Sequence, residues 1–381
     1  MPFAAALSQH PLATHAVGEV TGQVLDKVGE GAQLAVLFVS AAHTGAMEDI
    51  AAAVRSILQP EVLVGCTAAS VVGGAREVED QPAISLWAGT MSSVAPIRLT
   101  AEQVGDEVAV AGFPAPDLLP ADGRALLVLA DPFSFPVDSF LSGLAEQVGV
   151  DLPVVGGLAS AARGPGGNRL VLGDEVLSDG AVGVVLGGVE VSTVVSQGCR
   201  PVGDPMIVTR GERQVIYELA GRPALDRVQE LIQSLDPDEL QLAQRGLHVG
   251  RVIDERKVDY GRGDFLIRNV LGADREVKAV AVGDEIDVGD TVQFQVRDAD
   301  TADEDLRHLM ATSDGDAALL FTCNGRGSHL FDVADHDAAI VSSAIADGPV
   351  AGMSCAGEIG PVGGRSFLHG FTASVVLFRD V

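Results

Sequence analysis

The densest group of chemically capable side chains lies in two short loops, Cys323-Asn324-Gly325-Arg326-Gly327 and Ser354-Cys355-Ala356-Gly357-Glu358. Arg326 offers a planar fork of N–H donors that matches a carboxylate. Glu358 can hold an ammonium group or pair with Arg326. Asn324 both donates and accepts, and the flanking glycines let a ligand come close to the backbone. An amino-acid-like ligand needs one cationic and one anionic contact at short range, and this loop pair supplies both. The same residues would serve equally as an internal Arg326–Glu358 salt bridge tying two loops together. Arg200, in Gln197-Gly198-Cys199-Arg200-Pro201, either reaches the same cleft or pins a domain junction. The expected binding set is Cys323, Asn324, Arg326, Ser354, Cys355, Glu358 and Arg200, with the two cysteines at its floor.

Other chemistries find less in the chain. A cysteine with His369 could form a nucleophile and base, but Gly-x-Ser-x-Gly is absent and no cysteine sits in a protease-like context. Free cysteine is among the most buried residue types, so an inert thiol is the ordinary reading. Haem would need an axial ligand in an apolar pocket, and none of the eight histidines has a local signature for it. No G-x-G-x-x-G, Walker A lysine, H-x-x-x-H or calcium-loop spacing occurs. The Asp298 to Asp305 cluster reads as a solvated helix start. No resident metal or cofactor is expected.

The elements that must position these loops repeat three times. Strand Leu34–Ser40 precedes a helix with Met47, Ile50, Ala51, Val54, Ile57 and Leu58 on one face, then strand Val62-Leu63-Val64 ending at Gly65. The second copy has Leu126–Ala130, a helix opened by Pro136 with Val137, Phe140, Leu141, Leu144 and Val148, then Val154-Val155 ending at Gly156. The third has Ala318–Thr322, a helix around Ile340, Val341, Ala344 and Ile345, then Val350-Ala351 ending at Gly352. Strand start to glycine spans 31 (34 to 65), 30 (126 to 156) and 34 (318 to 352) residues, and another strand follows each time. Such a unit makes a right-handed crossover between parallel strands, which puts both carboxyl ends on the sheet edge where ligands bind. The expected fold is mixed α and β. Helix-flanked sheets are built from units 34–90, 126–187 and 318–378, with an inserted β-rich region around 206–300. A pseudo-threefold arrangement of the units around a central site is the second architecture.

Composition narrows the partners. With 25 Lys+Arg against 53 Asp+Glu, the net charge is −28 over 381 residues. So acidic a chain repels phosphate backbones and anionic lipid, which speaks against nucleic acid and membrane surfaces. No window reaches the ~18–20 apolar residues of a membrane span, no signal-peptide pattern opens the chain, and the four cysteines form no C-x-x-C pair. A cytoplasmic, reduced protein is expected. A linker signal at Ala220-Gly221-Arg222-Pro223 divides it into 1–220 and 221–381.

Several longer stretches, in order, resemble the FIST-domain family. They are Val64-Gly65-Cys66-Thr67, Gly180–Gly183, Ser196–Gly203, Glu218–Leu225, Gly263–Arg268, Cys323–Gly327 and Gly352–Pro361. The resemblance covers nearly the whole chain. It implies an N-terminal and a C-terminal FIST region and a sensory, non-enzymatic role in signal transduction through small ligands such as amino acids. With no room for a kinase, cyclase or methyl-accepting domain in these residues, a separate output partner is expected. Two alternatives stand beside this: a hydrolase with a Cys or Ser nucleophile, and the haem-based nitric oxide sensing of some similar proteins.

Overall fold

The apolar runs form strands and the 3.6-periodic stretches form helices. A computed structural model describes residues 2–105, 107–115, 119–147, 152–257, 259–261 and 263–380; Val148 lies outside the described residues. In the first repeat, β1 (Phe3–Ser8) and α1 (Ala13–Val28) precede β2 (Leu34–Ser40), α2 (Met47–Leu58) and β3 (Val62–Ala68). The hairpin β4 (Val71–Gly73) and β5 (Arg76–Val78) comes next, then β6 (Ile84–Gly89). After β7 (Ser93–Val104) and β8 (Glu107–Ala111), the second repeat supplies β9 (Gly123–Ala130), α3 (Val137–Gln147) and β10 (Val154–Leu158). Its hairpin is β11 (Leu170–Leu172) and β12 (Glu175–Leu177), and β13 (Ala181–Gly187) closes it.

β14 (Glu190–Gln197) leads to the inserted region. This holds β15 (Cys199–Pro201), β16 (Met206–Glu212), β17 (Val215–Leu219), β18 (Arg222–Pro223), α4 (Ala224–Ser234) and α5 (Pro237–Arg245). It continues through β19 (Leu247–Val252), β20 (Phe265–Asp274), β21 (Ala279–Val282) and β22 (Thr291–Arg297), and α6 (Ala299–Ala311) follows. The third repeat has β23 (Ala317–Cys323), α7 (His336–Ala344), β24 (Val350–Cys355), the hairpin β25 (Glu358–Val362) and β26 (Arg365–His369), and β27 (Thr372–Arg379).

Two compact units result, and they do not follow the linear division at residue 220. One comprises Met1–Val195, Leu306–Leu368 and Thr372–Val381; the other comprises Ser196–Asp305 with His369–Phe371. In the second unit, β22 pairs with β16 and with β19, which closes the path β16-β17-β21-β20-β19 into a barrel. The alternation in Thr291–Val296 predicts a half-buried strand, yet all six residues are buried. Gln293 and Gln295 point to covered positions, and the Gln293 amide donates to the Gly203 carbonyl.

In the first unit the three repeats share one core pattern. β2 and β3, β9 and β10, and β23 and β24 pair in parallel, each with an antiparallel neighbour in β6, β13 and β27. Each hairpin leaves its own sheet. The first repeat's β4 pairs with β24, the second's β11 with β3, and the third's β25 with β10. The exchange is cyclic, so every sheet contains strands from two repeats. Side chains alternate across a strand, so each sheet has two covered faces. The outer faces carry Leu37 and Leu63 under α1 and α2, Leu126 and Val128 under α3, and Leu320 and Val375 under Leu306 and α7. The inner faces of all three sheets meet in one cluster containing Phe38, Leu129, Phe321 and Met353.

The three repeat glycines are equivalent but do not form turns. Gly65, Gly156 and Gly352 lie inside β3, β10 and β24, opposite Leu37, Val128 and Leu320. A Cβ at each would collide with the carbonyl oxygen of that opposite residue. Glycine is required there by the close approach of two parallel strands, and each strand runs on to Ala68, Leu158 and Cys355 before turning.

Candidate functional site

The carboxyl ends of the parallel strands converge in the first unit. The Ser160 hydroxyl accepts from the Ala69 N–H at 2.9 Å and donates to the Ser354 carbonyl, so one side chain joins the three repeats. Beside it opens a cavity of about 290 Å³. The first repeat contributes Ser70, Glu79 and Asp80 to its wall, and the second Ser160 and Arg163. From the third come Cys323, Asn324, Arg326, His329 and Ser354. The two loops singled out by the sequence do meet, with the Asn324 N–H donating to the Cys355 carbonyl at 3.0 Å.

Arg326 is 1% exposed, and its partner is not Glu358. Its Nε and Nη2 donate to Asp337 at 2.7 and 2.8 Å, a bidentate pair. Asp337 stands in the first turn of α7, which carries it into the core beneath the loop. It also accepts from Thr322 Oγ1 at 2.6 Å and lies 2.9 Å from His336 Nδ1. The Arg326 charge and these hydrogen bonds hold its carboxyl well below the usual range, against the opposing effect of burial. Among the described residues Nη1 of Arg326 has no hydrogen-bond partner, and the guanidinium lies over the Phe331 ring at 5.2 Å.

Glu358 is fully buried and is not in the cavity wall. Its Oε2 accepts from the Thr372 N–H at 3.1 Å and hydroxyl at 2.9 Å. Burial pushes its pKa up to about 8, against hydrogen bonds from Thr372 and the Cys323 thiol and the charge of Arg326. The carboxyl therefore binds its proton more tightly folded than unfolded. Stability is retained at low pH and declines as pH rises from about 4.5 to 8, at no more than about 1.4 kcal/mol per unit. Glu358→Gln, which keeps the neutral shape, is expected to flatten that part of the curve; urea midpoints between pH 5 and 8 measure it.

Of the other expected residues, Cys355 is buried in the central core rather than at the cavity floor. Burial raises its thiol pKa well above the ordinary value, which makes it a poor nucleophile at neutral pH. Arg200 belongs to the second unit, where its Nε holds Asp298 at 2.8 Å and its Nη1 holds Glu239 at 3.0 Å. Asp298 also accepts from the Asp300 N–H at 3.2 Å, which caps α6, and Asp305 accepts from Ser196 and the Gln197 N–H, so this cluster is a paired helix start rather than a solvated one.

Glu77, Glu79, Arg163 and Asp337 escaped the reading of the sequence. Glu79 accepts from the Ser328 N–H at 2.9 Å and from its hydroxyl, and Glu77 accepts from the Ala338 N–H at 2.9 Å. These two fasten the first repeat's exchanged hairpin onto the third repeat. The only local signal was the acidic run Glu77-Val78-Glu79-Asp80 after a hairpin turn. The cavity does not fit haem. It is small, its wall is mostly hydroxyls and charges, and its histidine, His329, is exposed. Among the described residues, no helix is long and apolar enough to cross a membrane.

A family model of the FIST N domain matches residues 33–222, and one of the FIST C domain matches 224–361. An uncharacterized protein of Mycobacterium bovis is 44% identical over 381 residues, covering 97% of each chain. An uncharacterized protein of Mycobacterium tuberculosis is 41% identical over 394 residues, covering all of both.

Proposed function

The chain belongs to the FIST family, associated with sensing small ligands in signal transduction, and on that premise we propose that it binds an amino-acid-like small carboxylate in the three-repeat cavity. The observation carrying this reading is the buried Arg326, a member of the cavity wall whose Nη1 is unpartnered while Asp337 holds the rest of the fork. A buried donor without an acceptor is costly, and a ligand oxygen would satisfy it once the wall that closes the side chain off from solvent parts. Ser70 and Ser354 belong to the same wall, and Arg163 has no paired carboxylate among the described residues. Asp80, exposed at the wall, offers the anionic contact for an ammonium group. Catalysis has less behind it, because the buried Cys355 thiol resists ionisation.

A thermal-shift screen of the folded protein against amino acids and other small carboxylates tests this, since a ligand of the folded state alone raises Tm. Ser354→Ala and Arg163→Ala should each weaken a hit about tenfold, or about 1.4 kcal/mol. Neither should move the ligand-free Tm. No shift with any carboxylate, or a hit indifferent to both variants, would sink the reading.

A further inference from the structure

Three of the four cysteines gather around the third repeat's strand ends. Cys323 and Cys355 are the last residues of β23 and β24 and stand directly opposite each other in the parallel register. Residues so paired face the same side of the sheet, on strands about 4.8 Å apart. That separation falls within the Cα distances a disulfide spans, about 4.4–6.8 Å. Both ends can close slightly because the ladder stops there. The Cys355 sulfur packs against Gly157, where a Cβ would collide with it. Access differs between the two. Cys323 is part of the cavity wall and partly exposed, whereas Cys355 is buried. Cys66 lies deeper, its sulfur 3.1 Å from that of Met353, and is also buried.

We propose that Cys323 and Cys355 form a cross-strand thiol pair that a peroxide reaching the cavity oxidises to a disulfide. The Cys323 sulfur attacks a peroxide oxygen. An S–O bond forms, the O–O bond breaks, and water or an alcohol leaves with the thiol proton. Cys355 then attacks the sulfenic sulfur. The S–S bond forms, the S–O bond breaks, and the hydroxyl leaves as water with the Cys355 proton. With hydrogen peroxide the sum is two thiols and one peroxide giving one disulfide and two waters. Burial keeps Cys355 protonated, so the second step is the slow one. A disulfide would withdraw Cys323 from the cavity wall and from its hydrogen bond to Glu358. The inference does not rest on the carboxylate reading, because the cavity need only admit a peroxide.

The test treats the folded full chain with hydrogen peroxide, alkylates the remaining thiols in denaturant and maps the peptides by mass spectrometry. The expected result is loss of two of the four thiols, a linked Cys323–Cys355 peptide pair 2 Da lighter than its reduced parts, and full recovery with dithiothreitol. Cys323→Ser should leave the other three thiols unreacted over the same time. Cys355→Ser should leave Cys323 as a sulfenic acid trapped by dimedone. If wild-type Cys355 is alkylated in full while Cys323 is oxidised further, or if the bridge involves Cys66 or a second chain, the proposal is overturned. The wild-type map decides this even if a variant folds poorly.

Discussion

Asp337→Ala is expected to destabilise the protein by about 3–5 kcal/mol, the usual effect of removing one partner from a buried ion pair. Asp337 and the Arg326 side chain are both inaccessible to solvent. Truncating the carboxylate strands a guanidinium that cannot shed its charge, and it also removes the acceptor of the Thr322 hydroxyl. Arg326→Ala should cost a similar amount for the mirrored reason, since Asp337 would remain buried with its principal counter-charge gone. The double variant Arg326→Met/Asp337→Leu is the informative control. Replacing both charges with apolar groups of similar volume is often nearly neutral, so much of the lost stability should return. Urea unfolding of the three variants measures this. Single variants within about 1 kcal/mol of wild type would mean that water reaches the pair. The comparison also bears on function. A double variant that regains stability but not carboxylate affinity would assign Arg326 to recognition as well as to the core.

Gly352→Ala should be about as damaging, at about 3 kcal/mol or more, although it adds one methyl group. The new Cβ would collide with the Leu320 carbonyl oxygen, and backbone inside a parallel sheet has nowhere to go. Gly156→Ala meets the same obstacle at Val128, with the further strain of φ at +136°. Gly45→Ala is the control, because nothing lies within 4 Å of its added Cβ. If Gly352→Ala and Gly45→Ala gave the same urea midpoint, the close strand approach would be refuted. These glycines let β3, β10 and β24 pack tightly beside their partners, which aligns the strand ends that form the cavity.

Local interactions settled much of this protein. Where apolar residues recur every 3.6 positions along one face, α2, α3 and α4 formed as the periodicity implies, because burying that face stabilises a helix in any context. Three copies of one strand–helix–strand unit were legible for the same reason, and the crossover rule correctly brought the Asn324 loop to the end of β24. Pairing choices were not local. Whether Arg326 meets Glu358 or Asp337 depends on where the start of α7 packs, and no spacing encodes that. Glu358 looked like a loop carboxylate, but its strand joins the second repeat's sheet and is buried there with Thr372. Nor could local pattern reveal the hairpin exchange. A short strand such as Val71–Gly73 satisfies its hydrogen bonds equally well in its own sheet or a neighbour's, and only closure of three sheets around one core decides between them. The sequence by itself therefore determined the units and the edge where chemistry gathers. The tertiary structure decided which charges are spent on one another, Arg326 on Asp337 rather than on Glu358.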